Sequence, residues 1–243
     1  MPPSQADKAH LLRSLHQGTE LLRLLNVWDV ASARAVASRP GTTAIATASA
    51  AIAAVHGHED GEQIPLDLHL AAVRRICAAV SLPVTADLER GYGDVGATIE
   101  AAVDAGAVGA NLEDAMAPCE AFARDIREAV AAGASTAVPL FVNARTDVYL
   151  AAEALDEDER RTEAMARGLA YLEAGADCVF VPGLVDEASI RELAAAFGPG
   201  RLSLLARPGL PTAPRLQELG VARLSHGPAL LHHAMAAIAD YDR

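Results

Sequence analysis

Two spacings of apolar residues alternate along the chain. Short buried-type runs rich in Val, Ile, Leu and Ala are separated by stretches whose apolar residues recur every three to four positions, the periods of parallel strands and amphipathic helices. A helix is predicted at Asp7–Gln17, on the outside or end of the fold. The first strand is Leu22–Trp28, followed by Asp29, a residue able to cap a helix over Ala31–Ser38. A second strand, Thr43–Thr47, leads to a small-residue turn, Ala48-Ser49-Ala50-Ala51, and to a polar loop, His56–Gln63. Pro65 then opens a helix, Leu66–Val80, which stops before Pro83 and a third strand.

From there helix, glycine and β-rich run repeat, around Gly106, Gly175 and Gly220, each glycine placed to end a helix in the left-handed region. Pro139–Arg145 and Leu202–Ala206 are further strands. Eight strands alternating with helices, with no Ser/Gly-rich linker, predict one α/β domain over 1–243, a (β/α)8 barrel of TIM type with residues 1–20 packed on it as an N-terminal helix. An open doubly wound sheet is the competing fold, but no GxGxxG follows the first strand.

Composition narrows the chemistry. The chain is 51% apolar, yet no run reaches the ~18 residues of a membrane span, and the charged start lacks a signal-peptide core. A cytoplasmic protein without a membrane partner is expected. A net charge of −12 with no basic cluster argues against nucleic acid. Cys77, Cys119 and Cys178 form no CxxC, and Cys77 and Cys178 read as buried filler. The single lysine, Lys8, precedes the first strand, so Schiff-base chemistry and lysine-bound pyridoxal are excluded. A metal or an arginine must activate any carbonyl.

Candidate chemistry gathers at the predicted strand ends, where barrels of this type bind ligands. Asp87 and Glu89 precede the turn Gly91-Tyr92-Gly93, and alternation along a strand would point both to one face. Asp60 and Glu62 lie in the loop after strand two, Glu113-Asp114 ends strand four, and Asn143-Ala-Arg145-Thr-Asp147 ends strand five. Acids at successive strand ends facing an arginine describe a divalent-cation site with a clamp for an anion. Oxygen ligands favour Mg²⁺, with Mn²⁺ as its substitute, over Zn²⁺.

The segments Asn26–Ala33, Asp60–Gln63, Asp87–Gly93, Gly109–Asp114 and Asn143–Asp147 resemble, in order and spacing, the isocitrate lyase/phosphoenolpyruvate mutase superfamily. The resemblance runs from about Leu22 to the C-terminus. It implies a (β/α)8 barrel, a homodimer or homotetramer whose eighth helix is exchanged between subunits, and Mg²⁺. It also implies small 2-oxo or 2-hydroxy carboxylates, such as oxaloacetate or 2-oxoglutarate, or phosphonates. Position by position, Asp87 matches the direct metal ligand, and Asp60, Glu89 and Glu113 match the acids that hold the metal's waters. Arg145 matches the arginine that grips the substrate. Ala48-Ser49 matches a turn whose N–H groups receive a carboxylate, and Tyr92 an aromatic over the metal. Arg145, Glu113 and Asp60 are the expected catalytic set. A chelated 2-oxo acid would have its enolate stabilised by the cation when a C–C or C–P bond breaks.

After strand four the sequence departs from that family's pattern. The lyases carry a gating loop with Lys-Lys-Cys-Gly-His or Lys-Arg-Cys-Gly-His, and the mutases a lysine and an asparagine. Here only Ala115-Met-Ala-Pro-Cys119-Glu120 is present. Pro182-Gly183 stands where the lyases have a glutamate. Isocitrate or methylisocitrate cleavage is therefore not expected. Arg207 at the end of strand seven is a candidate for a second carboxylate, the alternative being a rim arginine paired with a loop acid, and His226 at strand eight is a candidate hydrogen-bond donor. His56 and His58 are read as solvated loop residues, Glu153–Glu159 as a solvated helix start, and His232-His233 as a surface or subunit contact. The expected activity is a Mg²⁺-dependent C–C lyase, decarboxylase or hydrolase. The alternatives are a non-catalytic Mg²⁺/2-oxo acid binding protein and a phosphonomutase or phosphonopyruvate hydrolase.

Overall fold

The computed structural model describes residues 3–152 and 154–241, so Glu153 of the acidic run lies outside the described residues. The strands are β1 (Leu22–Leu24), β2 (Asn26–Val27), β3 (Ile45–Thr47), β4 (Val84–Asp87), β5 (Gly109–Glu113), β6 (Phe141–Arg145), β7 (Cys178–Phe180), β8 (Leu202–Leu205) and β9 (Arg223–Ser225). The helices are α1 (Gln5–Gln17), α2 (Val30–Ala37), α3 (Ser49–Val55), α4 (Leu66–Ala79), α5 (Val95–Asp104), α6 (Cys119–Ser135), α7 (Val148–Ala151), α8 (Glu157–Glu173), α9 (Glu187–Phe197), α10 (Ala213–Glu218) and α11 (Ala229–Ala239).

All strand pairings are parallel, in the order β1-β9-β8-β7-β6-β5-β4-β3-β2. Only Leu25 separates β1 from β2, and its carbonyl accepts from Ala46 N at 3.3 Å. The two segments are thus one strand, whose first half pairs with β9 and whose second pairs with β3. The expected eight-stranded α/β barrel closes there. Left-handed glycines end the helices that precede β5, β7 and β9: Gly106, Gly175 and Gly220 have φ of 102°, 107° and 88°. Asp29 caps α2 through Ser32, as its position implied.

Two local expectations need correction. Ala48–Ala51 is not a free turn: α3 starts at Ser49, because Ala and Ile sustain a helix until His56-Gly57 ends it. Glu89 does not share a strand face with Asp87 either. Strand β4 ends at Asp87, and Glu89 is left-handed with φ of 53°.

Helix α1 lies across the N-terminal mouth of the barrel. Gln5 Nε2 donates to Val103 O (2.7 Å) and Ala107 O (3.0 Å), and Lys8 Nζ to Val80 O (3.2 Å), all in segments leading into strands. Arg13 pairs with Asp177 just before β7. His16, 2% exposed, stacks on Phe141 with ring centroids 3.9 Å apart. Burial, with Arg223 nearby, pushes the His16 imidazole down to about 3. The unfolded chain binds a proton below about pH 6.5 that the folded chain refuses, so stability falls as pH drops from there towards 3, by about 1.4 kcal/mol per pH unit for this group. His16→Phe keeps the stack and is expected to flatten this acid limb. Urea midpoints at pH 7, 6 and 5 measure it, and parallel slopes for the two proteins would count against the assignment.

Helix α11 buries only Leu231, while Met235 and Ile238 are 48% and 67% exposed. Among the described residues no helix is long and apolar enough to cross a membrane.

Candidate active site

A cavity of about 190 Å³ opens at the C-terminal ends of the strands. Its polar lining comes from Asn26, Ser49, Asp60, Asp87, Asn111, Arg145 and Ser225, and its apolar wall from Leu150, Phe180, Pro182 and Leu205. The volume lies below the roughly 300 Å³ at which drug-sized sites begin, so it suits a small molecule. A larger hollow, about 490 Å³, sits at the other end between Ser14 and Thr43, but its only charged groups are Glu20 and Arg23, with no cluster to do chemistry.

The carboxylates are held one by one. Asp87 Oδ2 accepts from Ser49 N (3.1 Å) and Ser49 Oγ (2.9 Å), which fixes the carboxylate while leaving Oδ1 without a bond among the described residues. Asp60 reaches the same hydroxyl at 3.4 Å. Glu89, 2% exposed, does not line the cavity: it accepts from Glu62 N and from Tyr92 OH (3.0 Å), and Tyr92 is in turn bonded to His69 Nδ1 (2.8 Å). Glu113 contacts Arg145 Nη1 at 2.6 Å, while Arg145 Nε donates to Asp147 Oδ1 at 2.6 Å. The single arginine is thus clamped between two acids at the cavity wall.

These acids disfavour one another's charge. Burial raises the Glu113 carboxyl to about 8, with Arg145 opposing and Asp87, Asp147 and Glu89 adding to the rise. Burial also raises Glu89, and Asp60 and Asp87 add to that rise. Burial raises Asp147 against the pull of Arg145. Such mutual repulsion is what a cation would relieve. Among the described residues no three acids, histidines or cysteines close on one point tightly enough to hold a metal alone.

Arg207 and His226 fall outside the lining, whereas Ala48 and Ser49 are part of it. Arg207 is exposed and donates only weakly to Gly183 O (3.4 Å). His226 directs Nδ1 at Leu24 O (3.1 Å), and its backbone N donates to Asn26 Oδ1 (2.8 Å). The N–H groups of Ala48 and Ser49 are engaged, with Val27 O (3.2 Å) and Asp87 Oδ2 respectively. Sequence reading gave no role to Asn111, although it lies in the Gly109–Asp114 segment, nor to Ser225 or the apolar wall.

The shortened segment after β5 is a pinned turn. Ala115 and Met116 are both left-handed, at φ of 42° and 60°, a conformation that non-glycine residues rarely adopt. Buried Asp114 holds them. Its Oδ1 accepts from Met116 N and Asp147 N (both 3.0 Å), and its Oδ2 from Tyr171 OH (2.7 Å) and Arg167 Nη1 (3.0 Å). Arg167 also donates to Ala117 O (2.8 Å). Cys119 starts α6, and burial raises its thiol pKa rather than activating it.

A closed parallel barrel with carboxylates and an arginine gathered at its strand ends defines a (β/α)8-barrel enzyme. The family model described as phosphoenolpyruvate phosphomutase matches residues 12–242, and the chain belongs to the phosphoenolpyruvate mutase/isocitrate lyase superfamily, whose members include lyases and mutases. An uncharacterized Mycobacterium tuberculosis protein is 36% identical over 218 residues, covering 87% of this chain and 79% of its own. An oxaloacetate decarboxylase of Ectopseudomonas mendocina is 30% identical over 257 residues, covering 99% and 86%. Among solved structures, a provisionally assigned phosphonomutase of Burkholderia cenocepacia J2315 superposes with a TM-score of 0.91 at 41% identity, covering 97% of each chain.

Proposed function

We propose that this enzyme is a Mg²⁺-dependent carbon–carbon lyase of a small 2-oxo dicarboxylate, acting as a decarboxylase on oxaloacetate or a close analogue. The observation that carries the reading is the meeting of Asp87 Oδ1, Asp60 and Arg145 in one small cavity ringed by carboxylates that repel each other. Asp87 would hold the ion directly, with Asp60, Glu89 and Glu113 steadying its waters. The ion, when bound, supplies Lewis-acid polarisation of the substrate carbonyl. Ser49 orients Asp87 through two bonds to Oδ2. Arg145 presents positive charge to the substrate's carboxylate, and Leu150, Phe180, Pro182 and Leu205 exclude water from one wall.

The pinned turn at 115–118 supports decarboxylation over aldol-type cleavage. Loss of CO₂ needs an electron sink and one proton delivered afterwards, not a gating acid that closes over a bulky leaving group. The name of the Ectopseudomonas mendocina relative points the same way. The exposed apolar positions of α11, Met235 and Ile238, support a further part of the reading: a second copy of the chain covers this helix in a dimer or tetramer. One barrel domain then accounts for the whole chain.

An NMR time course with Mg²⁺ tests the reaction, using oxaloacetate, 2-oxoglutarate, 2,3-dimethylmalate, methylisocitrate and phosphonopyruvate with metal-free controls. Expected is Mg²⁺-dependent loss of oxaloacetate beyond the protein-free rate, with pyruvate as product. Consumption of phosphonopyruvate instead would transfer the assignment to C–P chemistry, the class named for the Burkholderia cenocepacia neighbour. Mg²⁺-dependent line broadening of one compound without turnover would make the chain a binding protein.

A further inference from the structure

Beneath the cavity floor lies a buried arginine that makes no ion pair among the described residues. Arg223 on β9 is 0% exposed. Its Nε and Nη1 have no hydrogen-bond partner among the described residues, and its Nη2 donates to Asn111 Oδ1 at 3.1 Å. Burying a guanidinium with a single hydrogen bond costs free energy.

What it does is legible at Asn111. Its Oδ1 accepts twice, from Arg223 Nη2 and from Nδ2 of Asn143, its partner in the register of β5 and β6 (2.9 Å). Arginine can only donate, so the amide has one permitted sense: oxygen down towards Arg223, nitrogen away from it. Asn111 itself lines the cavity, beside Asp87 in the register of β4 and β5. Its Nδ2 bonds to no other described residue and is not sealed from solvent. A side-chain amide fixed from behind, with its N–H groups free at a cavity that already holds Arg145, is a preorganised donor for an oxyanion.

We propose that Asn111 is a substrate-binding residue, its amide donating to an oxygen of the carboxylate ligand beside Asp87, and that Arg223 is the positioning residue that holds the amide in that sense. The inference rests on the Mg²⁺/2-oxo acid reading of the cavity and adds a donor and its support to it. It also gives Arg223 a reason to stay buried and charged. A methionine there would pack but leave Asn111 free to turn its oxygen, a repulsive group, towards the ligand.

Oxalate is a suitable probe: it is a non-reacting dianion that chelates Mg²⁺ as a 2-oxo acid would. Calorimetry would record Mg²⁺ affinity alone, then oxalate affinity at saturating Mg²⁺, for wild type, Asn111→Ala, Asn111→Asp, Arg223→Met and the Asn111→Ala/Arg223→Met pair. The expected result is unchanged Mg²⁺ affinity in Asn111→Ala with oxalate weakened roughly 10- to 100-fold, the range for losing a hydrogen bond to a charged group. Asn111→Asp, which sets an anion in place of the donor, should weaken oxalate further. Arg223→Met should weaken oxalate in the wild-type background and add nothing once Asn111 is alanine, the non-additivity that separates positioning from general support. If Arg223→Met fails to fold, Arg223→Gln takes its place in the cycle, since its amide can offer Asn111 either a donor or an acceptor and so no longer dictates one sense.

Wild-type oxalate affinity in Asn111→Ala would overturn the proposal. So would a fall in Mg²⁺ affinity with oxalate binding otherwise intact, which would place Asn111 on the metal's water shell. Full additivity of the two substitutions would remove Arg223 from its assigned role. If the wild-type protein takes up no oxalate with Mg²⁺, the reading of the cavity has failed and this inference with it. That result is distinct from the others, in all of which wild type binds.

Discussion

Asp87→Ala is expected to abolish Mg²⁺-dependent binding of 2-oxo acids and to leave the fold intact. Of the candidate acids, Asp60 and Asp87 line the cavity, and Asp87 is the one fixed by two bonds through a single oxygen, while both oxygens of Glu89 are occupied. Residues that merely support a metal ligand cost about 10- to 100-fold in affinity when removed, and a direct ligand costs more. Mg²⁺ affinity should therefore fall by more than about 100-fold, and turnover with it. Stability should hold or rise, because Asp87 is one of the charges that raise Glu113 and Glu89. In the metal-free variant the Glu113 carboxyl should titrate below its wild-type position near 8, which carbon-detected NMR of labelled glutamate can read. Normal Mg²⁺-linked binding by this variant would show that the site has been placed wrongly.

Arg167→Met carries the largest expected cost in stability. The side chains of Arg167 and Asp114 are 9% and 0% exposed, and the arginine also ties Ala117 O and Glu163. Removing one member of a buried pair leaves the other charge uncompensated, a loss of about 3 kcal/mol or more. For a chain of this size that is roughly a 6–12 °C drop in Tm. Tyr171 and two backbone N–H groups still serve Asp114, which keeps the estimate at the lower end. The effect should also reach the site, since the left-handed Ala115-Met116 turn loses its anchor and abuts Glu113 and Arg145. Calorimetric melts of the variant and of Arg167→Lys test this. A change in Tm of less than about 2 °C, under 1 kcal/mol by the same conversion, would mean that the network is not what fixes the turn.

The barrel was legible because it repeats. Each helix–glycine–strand unit states the same local rule, and Gly106, Gly175 and Gly220 obey it in the structure. The split of the first strand at Leu25 was not, because it depends on two neighbours, β9 and β3, that are far apart in sequence. At the site, the acids and Arg145 were visible as polar residues ending apolar strands. The direction of Glu89 was not, since alternation applies only while the backbone stays extended, and β4 ends before it. Asn111 and Asn143 passed as ordinary polar residues in strands. Their meaning arises from Arg223, which is 112 residues from Asn111 in sequence and reaches it only once the barrel has closed.

The position of Lys8 has a practical consequence. It is the chain's single lysine, and it sits on the helix that plugs the barrel's N-terminal mouth, with its ammonium on Val80 O. The strands run from that end to the cavity at the other. An amine-reactive dye or a surface coupled through this side chain would therefore attach behind the barrel, leaving the pocket facing outward. Acylation of lysine, a common means of controlling enzymes, would have no amine to modify at the mouth of the pocket.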